Sequence, residues 1–165
     1  EESSQFFIDR SLMRPRCLID LINHCRSFAV NLRHTRIEHD DVKKGLSAYS
    51  TDLIFEIGLE IRDIDPKCDS ILYEFIDSRP KLTPKMLDEV LKDYRFSAKQ
   101  MQDIIDILLW FGVLGVTQLN GEIAYIYSVN YDMNLLKGII KRLEITGLVY
   151  TINPAFWAGL GIARA

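Results

Sequence analysis

The chain has 165 residues with 20 basic and 23 acidic side chains, a net charge of -3 and 48% apolar residues. That is enough for one ordinary domain or two small ones with a real core, and it argues against disorder. The near balance of charge excludes a polycation that coats nucleic acid or anionic lipid by charge alone. The longest apolar run, Ile104 to Val116, is interrupted by Asp106 and is too short to span a bilayer, so no membrane association is expected.

The N-terminal Glu1-Glu2-Ser3-Ser4 is acidic and polar where a secretory signal would be basic and then apolar. The sequence lacks an initiator methionine, which points to a piece of a longer protein. Three widely spaced cysteines, Cys17, Cys25 and Cys68, are an odd count that suits reduced thiols in a cytoplasmic protein. Phe6-Phe7 read as local packing anchors or as a patch that meets the rest of a parent protein.

Leu18, Leu21, Ile22, Cys25, Phe28, Ala29 and Leu32 recur at the spacing of one helical face, with Pro15 suited to the first turn. Leu46, Tyr49, Leu53, Ile57 and Ile61 predict a second helix that starts among the acids Glu38 to Asp41 and stops at Asp65-Pro66. Ile71, Leu72, Phe75 and Ile76 predict a short helix closed by Arg79-Pro80. Thr83 and Pro84 then open a helix carrying Met86, Leu87, Val90 and Leu91, and Ser97 caps another carrying Met101, Ile104, Ile105 and Leu108.

Asn120-Gly121 between Val116–Leu119 and Glu122–Tyr127 is a strong hairpin signal, and it predicts Tyr125 and Tyr127 on opposite faces of a strand. Leu135, Leu136, Ile139, Ile140 and Leu143 predict a helix ending near Gly147. A short strand at Val149–Ile152 and a turn or helix from Asn153-Pro154 follow, with Phe156-Trp157 as packing anchors or a subunit contact. The expectation is a mostly α chain with a small β-hairpin wing. Residues 1–64 would form a helical lid-like bundle, and residues 65–165 a winged-helix domain with a C-terminal helical extension.

No phosphate-binding loop, G-x-G-x-x-G, G-x-S-x-G, H-E-x-x-H or C-x-x-C is present, so no catalytic residue is named and the chain alone is not expected to be an enzyme. His24, His34 and His39, spaced by ten and five, suit no metal-binding helix face, and no metal site is expected. Arg14-Pro15-Arg16 at a helix start holds two permanently charged guanidinium groups in a stiffened segment, suited to phosphate. Spacing alone favours the plainer reading, in which both are solvated or pair with acids such as Asp20, at i+4 from Arg16.

Arg16-Cys-Leu-Ile-Asp-Leu-Ile-Asn-His-Cys25, Ala29 and Ile37-Glu-His-Asp-Asp-Val42 resemble the helical lid of AAA-type and STAND-type P-loop ATPases. The run from Met13 to Ile22 is similar to a bacterial family that carries R-P-R-x-L-I-x-F after its nucleotide domain and then a winged-helix tail. The resemblance covers residues 10 to 62, and the remainder by architecture only. It implies that Arg16, with Arg14 as second candidate, senses the γ-phosphate of ATP bound with magnesium in an upstream nucleotide-binding domain of the same polypeptide. The phosphate loop, magnesium-binding acid and catalytic base are missing from these 165 residues and would have to lie upstream.

The expected recognition helix exposes Lys99, Gln100 and Gln102, which with Arg95 make a candidate partner or DNA face, since glutamine suits adenine edges. Asp103 and Asp106 on the same helix would repel phosphates, and the hairpin tip has no lysine or arginine. Residues 81 to 165 hold nine basic and eight acidic side chains, few for a protein that must neutralise ~6–10 phosphates. This favours protein contact over DNA binding. A free-standing DNA-binding regulator and a non-catalytic oligomerisation module stay open as alternatives.

Overall fold

The structure, a computed structural model, describes residues 3–163; Glu1 and Glu2, part of the acidic start noted above, lie outside the described residues. The chain is mostly helical with one small antiparallel sheet, as the patterning predicts. Helix α1 spans Ser3–Ile8, α2 Pro15–Asn31 and α3 His39–Ile64. Pro15 sits in the first turn of α2, where its missing N–H costs nothing, and Asp65 ends α3 in an extended conformation forced by Pro66.

Helices α2 and α3 form an antiparallel hairpin with very close backbones. Leu21, Cys25 and Ala29 are the buried residues of α2. A Cβ added at Gly45 of α3 would fall 2.6 Å from the Cα of Cys25, so only glycine permits this crossing. Helix α3 is buried again further along, where Ser50 and Ile54 meet the last helix.

Two 3-10 turns, Pro66–Cys68 and Ile71–Phe75, lead into strand β1, Lys81–Leu82. Helix α4 covers Pro84–Val90, with Thr83 Oγ1 accepting from the Met86 N–H at 3.3 Å. After a 3-10 turn at Lys92–Tyr94 and a left-handed Arg95, α5 covers Ala98–Trp110. Strands β2, Leu114–Thr117, and β3, Ile123–Ala124, make the expected hairpin, with Val116 opposite Ala124. Helix α6 runs Met133–Thr146 and stops at Gly147, whose φ of 113° suits glycine. Strand β4, Tyr150–Ile152, and α7, Pro154–Leu160, complete the chain.

The sheet order is β1-β4-β2-β3, all antiparallel. Residues beyond the hairpin therefore do more than pack against it: β4 is inserted between β1 and β2. Leu82, Tyr150, Ile152, Leu114 and Val116 share one face and join the core. Lys81, Thr151 and Thr117 share the other, where the two threonine hydroxyls lie 2.8 Å apart.

The short helix expected from Ile71 to Ile76 forms as a 3-10 helix over Ile71–Phe75. Two expectations are corrected. The second hairpin strand ends at Ala124, and Ile126–Val129 turns as a 3-10 helix. Tyr125 and Tyr127 consequently stack on each other, centroids 5.2 Å apart, instead of straddling a strand. The backbone N–H of Tyr125 is held by Ser128 Oγ at 3.2 Å, which starts that turn. Phe156 is fully buried and Trp157 donates its Nε1–H to the Ile152 carbonyl at 2.8 Å, so both act as packing anchors.

Candidate functional site

Arg14 and Arg16 flank Pro15 at the start of α2, Arg14 as the N-terminal cap residue in extended conformation. The Arg16 side chain is 83% exposed, and its Nε lies 3.7 Å from Asp20 Oδ2, the i,i+4 pair that the spacing allows. A groove of about 300 Å³ runs beside it between α2 and α3, lined by Asp20, His24, Tyr49, Asp52 and Glu56. His24 Nε2 is 3.2 Å from Asp52 Oδ2. The groove holds three carboxylates and repels a phosphate placed deep within it, whereas the Arg16 guanidinium on its lining is largely exposed.

Tyr49 and Cys17 face this groove, and burial pushes both the phenol and the thiol upward, toward their neutral forms. A nucleophilic cysteine needs the opposite shift. Among the described residues, no group of three or more His, Cys, Asp or Glu side chains is arranged to hold a metal ion. No helix among them is long and apolar enough to cross a membrane.

The second candidate face lies on α5. Ser97 Oγ accepts from the Gln100 N–H at 3.3 Å, and Gln100 Oε1 accepts from the Ser97 N–H at 2.9 Å. Gln102 Nε2 donates to Asp106 Oδ1 at 2.9 Å, and Lys137 of α6 donates to the other oxygen of that carboxylate. Both glutamine side chains are thus engaged within their own helix, and Asp106 is paired rather than turned on a partner. Lys99 and Arg95 are exposed, Arg95 at the left-handed position between α4 and α5.

Sequence reasoning did not anticipate the pairing of His34 with Asp41 across the α2–α3 turn, at 2.8 Å. A histidine just after one helix and an acid in the first turn of the next is the only trace of it in the sequence. Nor did it foresee that Asp52 and Glu56 of α3 would join Asp20 beside Arg16.

Residues 1–58 match the model of a family described as a FunZ-associated C-terminal helical domain. Neither a curated protein nor a solved structure matches the chain. The matched stretch comprises α1, α2 and α3 as far as Gly58, and it fits a C-terminal helical region.

Proposed function

We propose that the chain is the C-terminal regulatory and interaction region of a cytoplasmic P-loop ATPase. Residues 1–64 would act as a lid-like unit and residues 65–165, with α4, α5 and the β2–β3 hairpin, as a winged-helix-like unit that meets a partner. Arg16 is the phosphate sensor, with Arg14 as the second cation. The observation that carries this reading is the exposed Arg16 guanidinium, set by Pro15 at the start of a helix within a stretch that matches a C-terminal helical family. Its long contact to Asp20 is of a kind worth only ~0.3–0.5 kcal/mol, so release toward a phosphate costs little.

ATP and magnesium would be held by the upstream domain, since the sequence has no phosphate loop and the described residues hold no cluster of metal ligands. Phosphate charge that develops during turnover would be stabilised by a guanidinium brought to it on lid closure. Three free cysteines support the cytoplasmic placement. The test is Arg16→Ala in the intact protein: ATP turnover should fall while the melting temperature stays close to that of the parent. Unchanged turnover overturns the sensor role.

Among partners of the 65–165 unit we favour protein over DNA, because Gln100 and Gln102 are already hydrogen-bonded within α5. A second reading, a self-associating module, rests on Ile19, Ile22 and Val30 of α2, which are 58%, 42% and 61% exposed on one flank of the helix. Sedimentation of the chain at rising concentration tests it, and a monomer throughout excludes it.

A further inference from the structure

A large cleft lies apart from the α2–α3 groove and shares none of its lining residues. It is an open space of about 1140 Å³ over the second face of the sheet, bounded by the turn after α1, the 77–81 segment and α7. Ligand pockets typically occupy about 300–1000 Å³, so the cleft has room for a nucleotide-sized molecule.

Its lining is chemically lopsided for a chain of net charge -3. Arg10, Arg79 and Lys81 bring three cations against the two acids Asp9 and Asp77. Both acids keep their charge, but each also has a local contact. Asp9 accepts from Gln5 Nε2 at 2.6 Å. Asp77 is turned onto the end of α7: its N–H donates to the Leu160 carbonyl at 2.9 Å, and its Oδ1 lies where a Cβ on Gly161 would come within 2.6 Å. Arg10 is buried and fixed, donating to the Phe6 carbonyl at 2.9 Å with its guanidinium 3.8 Å over the Phe6 ring. Arg79 and Lys81 are exposed and form no salt bridge with the described residues.

Two further features point to a ligand. Ser78 Oγ, in the cleft wall between Asp77 and Arg79, is buried and has no hydrogen-bond partner among the described residues, an uncommon state. Pro80, Pro154 and Trp157 add apolar surface to the lining, and the indole is held in place by its bond to the Ile152 carbonyl. We propose that this cleft binds a small organic phosphate monoester with a planar apolar body, its phosphate met by Arg79, Lys81 and Ser78 and its body laid against Trp157.

The chain itself carries the reporter. It has two tryptophans, and Trp110 is exposed away from the cleft, edge-on to Tyr131. In a Trp110→Phe background, Trp157 fluorescence is titrated with phenyl phosphate, AMP, inorganic phosphate and adenosine. Phenyl phosphate or AMP should saturate at or below about 1 mM, while inorganic phosphate and adenosine bind more weakly because each offers half of the recognised chemistry. Arg79→Ala and Lys81→Ala, both exposed and harmless to the core, should each weaken binding about tenfold, and Ser78→Ala should weaken it as well. Absence of saturation by either ester overturns the proposal, as does binding that both cation variants leave unchanged. Because the Arg16 reading concerns a nucleotide that would be held outside this cleft, failure here leaves that reading untouched, and failure of that reading leaves this one.

Discussion

His34 Nδ1 lies 2.8 Å from Asp41 Oδ2, and Asp41 is fully buried at the start of α3. The same oxygen accepts the backbone N–H of Glu38 at 2.9 Å, while Oδ1 is buried without a partner. One carboxylate thus clasps the end of α2 and caps the beginning of α3. The hydrogen bond to Asp41 raises the His34 pKa above its ordinary 6.5, and the bond to His34 lowers that of Asp41 below 3.8.

The sign of the pH dependence follows from those shifts. His34 favours its charged form when folded, so its contribution is complete below pH 6.5 and is lost as pH rises through the raised value. Asp41 contributes above 3.8, and that contribution is lost as pH falls through its lowered value. Both shifts express one interaction, which is at its strongest between the two. Denaturation midpoints measured from pH 5 to 9 should fall across the alkaline side of the histidine range, and His34→Gln should flatten that fall. A parallel slope in the variant would assign the dependence to other groups.

Two glycines on α3 should answer oppositely to alanine. At Gly45 the new Cβ would meet the backbone N and Cα of Cys25 at 2.6 Å, and backbone cannot turn aside. Gly45→Ala should therefore destabilise by about 1–3 kcal/mol or more, read from urea unfolding. At Gly58 the nearest atom is the Asp69 carbonyl oxygen at 3.4 Å, an ordinary contact. There alanine should be neutral or stabilising by up to ~1 kcal/mol through helix propensity. Equal responses would mean that α2 and α3 do not cross as closely as described.

Local chemistry was legible in the sequence wherever one segment contains its own explanation. The helices opened by Pro15, by Thr83-Pro84 and by Ser97 all form where their caps place them. So does the Arg16–Asp20 pair, four residues apart on one helix. What escaped depends on partners distant in the chain. Lys81–Leu82 is too short to declare itself and becomes a strand only by pairing with Tyr150 and Thr151. The run after Ala124 alternates like a strand, yet no neighbouring strand continues beside it, and the Ser128 hydroxyl turns it instead. The sheet-face cleft combines side chains from both ends of the chain with the 77–81 segment, so no window of sequence holds its pattern.

Thiol reactivity offers a check on burial. Cys25 and Cys68 are fully buried and Cys17 partly so, all three free. Burial pushes each thiol upward, Cys68 to about 11, which removes the thiolate that reacts with disulfide reagents. In the native protein at pH 8, a chromogenic disulfide should titrate Cys17 slowly and leave Cys25 and Cys68 until denaturant is added. Rapid reaction of all three would contradict their burial.

Ser50 and Gly159 join α3 to α7 across more than a hundred residues of chain: the Gly159 N–H donates to Ser50 Oγ at 2.9 Å, and a Cβ on Gly159 would fall 3.0 Å from the Ser50 carbonyl carbon and 2.6 Å from Ile54 Cδ1. The terminal methyl of Ile54 can rotate away; the Ser50 backbone cannot. Ser50→Ala removes one hydrogen bond and should cost about 1 kcal/mol. Gly159→Ala forces the helices apart and should cost more, within about 1–3 kcal/mol. If α7 is part of the same cooperative unit as α3, both substitutions lower the denaturation midpoint while the slope with denaturant is unchanged. A lowered slope, or a second transition in Gly159→Ala, would instead show that residues 65–165 can separate from the helical hairpin and unfold by themselves. The contact itself predicts the single transition, because Ser50, Ile54 and Ile57 are all within 4% of complete burial, and detaching α7 would return that face of α3 to water.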